Sequence, residues 1–245
     1  MEPIKSFKDS EWQAFVKKCE ERVAKDRKEF GVTSIFLPQP EICPTPKYLI
    51  VAMEPSLTLS EEEMEEQIKN GLKGFVHFVI DYCAYKYLCG SKFEYQCVDF
   101  CKGVMPVEDA KNTQKQRYAN WQALLKEEWE LLGKPHIISA GKPPYDNINW
   151  SVKKDYIQHY SGANAHRIKE YNYLKLDSRL PTLETQNEMR QVIWKMLDKF
   201  APAEEKLRKS HWLPHVEKDV NNTKLLALYR HNFEQLVNTG KISHF

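Results

Sequence analysis

The chain has 245 residues, 42% of them hydrophobic and only 9 glycines, enough for an α/β domain with a full core and unlike a disordered chain. Lys and Arg number 36 against 34 Asp and Glu, so a net charge of +2 does not by itself announce a nucleic-acid partner. No apolar run of about 18 residues exists to span a membrane, and the charged stretch Met1–Asp26 lacks the apolar centre of a signal peptide, so the expectation is a soluble intracellular protein.

In chain order, Ser10 with Gln13 reads as a capping box, and Trp12, Phe15, Val16, Cys19 and Val23 recur at helical spacing. They predict a first helix ending near Gly31. Lys47–Met53 (KYLIVAM) is a short apolar run of β-formers, a buried strand broken by Glu54-Pro55-Ser56. Ser60 with Glu63 opens an acidic helix that stops at Gly71, and Phe75–Leu88 reads as a buried helix. Phe93–Cys101 (FEYQCVDFC) predicts a second strand, stopped by Gly103 and Pro106. Asn112–Leu132 predicts a helix with Trp121, Leu124, Leu125, Trp129 and Leu132 on one face, closed by Gly133 and Pro135. His136–Ala140 (HIISA) is a third strand ending in a Gly141-Lys142 turn, and Lys154–His159 a fourth, followed by the loop Tyr160–Asn164. Helices near Gln186–Phe200 and Thr223–Asn238, the latter capped by Gly240, complete the chain.

Strands alternating with helices imply a three-layer α/β/α fold around a central, mostly parallel four-stranded sheet. Residues 1–245 read as one domain: an N-terminal helix over 1–31, a core over about 32–176 and a C-terminal helical extension over 177–245. Acidic residues gather at Glu61–Glu66 and Glu127–Glu130, and basic ones at Lys111–Arg117, Lys142, Lys153–Lys154 and His166–Lys169, a mixed solvated surface with room for a local basic face. The six cysteines follow no CxxC spacing, which favours reduced structural thiols over a metal or iron–sulfur site.

In such sheets ligands sit outside the carboxyl ends of the strands. The polar groups there are Glu54, Asp99, the Gly141-Lys142 turn, and His159 with Ser161. An acid after a strand also caps turns, and a lone loop histidine is common, so order and spacing carry the argument. AMEPS (Ala52–Ser56) resembles the first motif of uracil-DNA glycosylases, written GQDPY, GINPG, GMNPG or GEAPG in different branches. YQCVDFCKGVMP (Tyr95–Pro106) resembles their second strand, TNVVKCRPP. The stretch Asn120–Lys142 resembles the helix and strand that follow, and HYSGAN (His159–Asn164) the HPSPL or NPSGLN motif. The resemblance runs in order over Lys47–Tyr171 and leaves both termini outside it.

The resemblance implies a glycosylase that flips a nucleotide out of DNA and hydrolyses its N-glycosidic bond. Glu54 takes the place of the acid that stabilises the sugar cation or activates water. His159 takes the place of the histidine that bonds the pyrimidine oxygen. Phe75, in KGFVH, takes the place of the aromatic that stacks on the flipped base, although its aromatic surroundings suit plain core equally. Met53 and Ser56 border the base; Ser161, Asn164, Arg167 and Lys142 are the implied DNA contacts. Ala163 stands where the family often has an intercalating Leu.

Two departures bear on substrate. Asp99 stands where uracil enzymes carry an Asn; an ionised Asp only accepts, which repels uracil O4 and suits the amine of cytosine. A protonated Asp99 would also donate, so its charge state is open at this point. Ser56 replaces a bulky Tyr and leaves room at the pyrimidine C5 position. Together they imply a 5-modified cytosine such as hydroxymethylcytosine, glucosylated or not, and a role in defence against phage DNA. The N-terminal CxxC of iron–sulfur branches is absent, and no motif Lys sits where a Schiff base would form. The expectation is a monofunctional, monomeric enzyme with DNA as partner and neither metal nor cofactor. A uracil repair enzyme and a non-catalytic nucleic-acid-binding module remain the alternatives; a small-molecule α/β hydrolase lacks its GxSxG elbow here.

Overall fold

The computed structural model describes residues 10–30, 43, 45–53, 56–57, 78–159, 171–200 and 205–243. Four strands form one all-parallel sheet: β1 (Tyr48–Ala52), β3 (Tyr95–Asp99), β5 (His136–Ala140) and β6 (Lys154–Ile157), in spatial order β3-β1-β5-β6. A separate parallel pair joins the two-residue strands β2 (Ser56–Leu57) and β4 (Met105–Pro106). This is a three-layer α/β/α fold, as the alternation of elements predicts. The small pair was not legible, because two residues carry no period.

Strands β1, β3 and β5 are buried almost end to end, since helices cover both faces of a parallel sheet. The twofold alternation of strand side chains sorts them between two layers. Leu49, Val51, Val98, Phe100 and Ile137 meet one layer, made of α1 (Ser10–Glu29) and α3 (Val107–Leu131). Ile50, Ala52, Cys97, Ile138, Ala140 and Ile157 meet the other. That second layer is α2 (Phe78–Cys83), which continues as a π-helix over Ala84–Leu88, together with three C-terminal helices. These are α5 (Leu183–Phe200), α6 (Glu205–Val220) and α7 (Thr223–Thr239). The C-terminal segment therefore closes one side of the sheet: Leu225, Leu226, Tyr229, Phe233 and Leu236 of α7 all lie in the core. A short helix, α4 (Lys142–Asn147), covers the β5–β6 edge.

Local chemistry explains most boundaries. Phe15, Cys19, Val23 and Asp26 form the buried stripe of α1, and the Trp121 indole N–H donates to buried Asp26 at 2.6 Å, locking α1 to α3. Asn222 caps α7 by accepting from the Leu225 N–H, and Gly240 ends it in the left-handed conformation at φ 78°. Among the described residues no helix is long and apolar enough to cross a membrane.

Four expectations need correction. Helix α3 begins at Val107 and not Asn112. What reads as a Gly141-Lys142 turn is a single glycine, because Pro143 and Pro144 suit a helix's first turn and α4 starts at Lys142. Helix α6 and the 3-10 turn Leu176–Arg179 were not expected; α6 holds Pro214 inside it, and Trp212, Val216 and Val220 anchor it in the core around that proline. Finally, Arg117 and Glu128, counted among surface charge clusters, are both fully buried.

Candidate functional site

All four main strands are parallel, so their carboxyl ends open on one side of the sheet. Asp99 pairs with Ala52, and Ala140 with Ile157, one step past the Val51–Ser139 pair. On this last row the face towards α2 and α7 carries Asp99 on the outer strand β3, then Ala52 and Ala140, then Ile157 on the outer strand β6. His159 follows Ile157 by two residues. The two central strands thus end in the smallest side chains, between an acid at one end and an imidazole at the other. Three inter-strand steps of about 4.8 Å separate the outer strands, roughly 14 Å of backbone.

Each end is held. At the β3 end, Asp99 is almost fully buried, at 4% exposure. The backbone beyond it is tied to β1: the Phe100 N–H donates to the Ala52 carbonyl at 2.9 Å and the Cys101 N–H to the Met53 carbonyl at 3.1 Å. The Lys102 ammonium donates to the Asp99 carbonyl at 2.7 Å and to Glu128 Oε2 at 2.6 Å. Arg117 donates to the Gly103 carbonyl at 3.4 Å. Burial pushes the Glu128 carboxyl up even though the Lys102 charge beside it pulls the other way. Beneath Asp99, the Tyr95 hydroxyl and the Cys97 thiol both donate to Asp81 of α2. Burial, then the charges of Asp81 and Asp99, hold the Cys97 thiol well above its ordinary range, so it is a neutral wall and not a nucleophile.

At the β6 end, Gly141 brings the chain within contact of His159. Its φ of 106° and ψ of 161° lie in a region left to glycine, and a Cβ there would stand 3.1 Å from His159 Cβ. The Gly141 N–H donates to the Ile157 carbonyl at 2.8 Å. The Tyr229 hydroxyl of α7 donates to the Gln158 carbonyl at 2.7 Å, fixing the peptide just before the imidazole. The exposed Lys142 ammonium lies 5.7 Å from the Tyr156 ring centroid and 3.3 Å from Asp146.

The sequence-derived residues divide accordingly. Met53, Asp99, Lys142 and His159 all lie at or just past the carboxyl ends of the strands. Met53 is half-buried, with the Gln114 amide 3.7 Å from its sulfur. Ser56 is described through its backbone, which pairs with Met105 and so joins the chain after β1 to the chain after β3. Glu54, Phe75, Ser161, Asn164 and Arg167 lie outside the described residues. Among the described residues, no group of three or more His, Cys, Asp or Glu is arranged to hold a metal ion. The described residues contain no disulfide: all six cysteines are free thiols, five of them buried.

Sequence reasoning placed Gly141 at a strand end but missed its contact with His159, and it missed Tyr229 and the Lys102–Glu128 pair. Helical phase held a signal for the last: Glu128 follows Trp121 by seven residues and Leu125 by three, on the buried face of α3. No family model matches this chain, and no curated protein matches it. The functional reading rests on the residues themselves.

Proposed function

We propose that this chain is a monofunctional DNA glycosylase resembling the uracil-DNA glycosylases, and that it excises a 5-modified cytosine. The observation that carries the reading is the row at the carboxyl ends of the strands. Almost fully buried Asp99 stands at one end; at the other, just beyond Ile157, comes half-buried His159, and the two central strands end in Ala52 and Ala140. A planar base set over the two alanines would meet an acceptor on one side and an imidazole on the other. Ionised Asp99 accepts from the exocyclic amine of cytosine and repels the O4 of uracil. His159 bonds the pyrimidine oxygen on which negative charge grows as the base departs. Glu54 stabilises the positive charge developing on the sugar and orients the attacking water. Water is the only co-reactant, the N-glycosidic bond is the one broken, and an intact abasic strand is left. Ser56 in place of a bulky residue admits a substituent at C5, so hydroxymethylated or glucosylated cytosine in phage DNA is the favoured substrate, and defence inside the cell the favoured role.

The test is base release from DNAs carrying uracil, cytosine, hydroxymethylcytosine or glucosylated hydroxymethylcytosine, read by mass spectrometry of the freed base and by alkaline cleavage. The expected result is release of a modified cytosine, abolished in Glu54→Gln and turned towards uracil in Asp99→Asn. Release of uracil alone by the wild type would overturn the substrate. Release of nothing, with DNA binding retained, would make the chain a binding module.

A further inference from the structure

Lys102 and Glu128 form an ion pair 2.6 Å long in the apolar layer between the sheet and α1/α3, with side-chain exposures of 2% and 0%. The apolar cluster of that layer includes Phe15, Cys19, Phe100, Cys101, Trp121 and Leu125, and Cys19 feels both charges of the pair. Stability does not explain such a pair, because well-packed apolar residues of like volume serve a core as well or better. The pair is also incompletely satisfied: Glu128 Oε1 is buried without a hydrogen-bond partner. What the pair does in the structure is hold Lys102, whose ammonium splits its hydrogen bonds between Glu128 and the Asp99 carbonyl at 2.7 Å. The peptide after Asp99 is bound on its other side by the β1 carbonyls of Ala52 and Met53. The backbone that aims the Asp99 side chain is therefore gripped from both directions.

We infer that Lys102, buttressed by Glu128, is a positioning residue that sets the base selectivity of the Asp99 site. The inference rests on the glycosylase reading above. A carboxylate discriminates between an amine and a carbonyl only if it is held in the plane of the base edge. Released from Lys102, the turn over residues 99–103 lets that carboxylate swing away from the plane, and discrimination fades while the rest of the site stays in place.

The experiment compares wild type, Lys102→Met and the double variant Lys102→Met/Glu128→Leu. The single variant leaves Glu128 buried without its cation and is expected to unfold easily. The double variant replaces both charges with apolar side chains and keeps the fold measurable. Two quantities are read: the ratio of modified-cytosine to uracil release, and the binding preference between the same two DNAs with Glu54→Gln added to block turnover. With thermal unfolding of the double variant at or above wild type, both ratios are expected to fall tenfold or more. A stable double variant that keeps wild-type ratios would overturn the inference and leave the glycosylase reading standing. No base release and no binding preference in the wild type would overturn both.

Discussion

Replacing Gly141 by Ala tests the geometry of the β6 end most directly. At φ 106° and ψ 161° a side chain is strained before anything else is touched, and the new methyl would stand 3.1 Å from His159 Cβ and 3.4 Å from its Cδ2. Backbone strain of this kind costs about 1–3 kcal/mol, and overpacking a contact a further amount, so a loss on the order of 2–3 kcal/mol is expected. In a chain of this size each kcal/mol moves Tm by about 2–4 °C, which places the drop at roughly 4–12 °C. The imidazole must also retreat by a few tenths of an ångström. Since 1 Å of misplacement costs about 100-fold, base release is expected to fall by roughly threefold to tenfold. Gly133→Ala is the control: its φ of 85° imposes strain, but nothing lies within 4 Å of the added Cβ. It should lower Tm and leave base release per folded molecule unchanged. Thermal unfolding and single-turnover release from the preferred DNA measure both. Equal loss of release in the two variants, or an undisturbed Gly141→Ala, would refute the contact between Gly141 and His159 as the device that sets the imidazole.

Two further outcomes follow from the same structure. Burial pushes Asp155 up, but the His136 ring at 2.9 Å and the Ile242 N–H at 2.8 Å outweigh it and leave its carboxyl below the ordinary value of 3.8. Folding with a depressed carboxyl gives stability that is fully present above the ordinary value and lost as pH falls from there through the lower folded-state value, so Asp155→Asn should destabilise at neutral pH. The gap in urea midpoints should hold down to about pH 4 and close only below it; a gap that stays constant well below that pH would contradict the linkage. Asn222→Ala removes the side chain that accepts from the Leu225 N–H at the start of α7, and should cost about 1 kcal/mol by chemical denaturation. No loss there would mean that packing alone sets the start of α7.

The strands were legible because a parallel sheet covered on both faces leaves short apolar runs with sharp edges, and KYLIVAM and HIISA are such runs. The Gly240 cap obeys rules confined to a few neighbouring residues, and the last helix, predicted near Thr223–Asn238, runs over Thr223–Thr239. Long apolar stretches were read less well. Within 75–88, with aromatic and aliphatic side chains nearly throughout, no period marks where Phe78–Cys83 passes into the π-helix Ala84–Leu88. Helix α6 was not predicted; the cost of Pro214 inside it is local, while the burial of Trp212, Val216 and Val220 that offsets it comes from residues distant in the chain.

Strand-end chemistry belongs to the sequence by itself. Once four strands are parallel, the residues just past them must share one side, and Asp99 and His159 follow from that alone. Only the tertiary structure decided how those groups are spaced and held. The order β3-β1-β5-β6 sets the acid at one end of the row Asp99, Ala52, Ala140, Ile157, and the imidazole just past the other. Long-range contacts turned Lys102, Arg117 and Glu128, three charges that look like surface, into buried ties behind Asp99. The physical reason is common to all of these. Propensity and capping act over a few bonds and can be read from neighbours. Whether a charge is buried, and what it then grips, depends on residues that the chain brings back from far along its length.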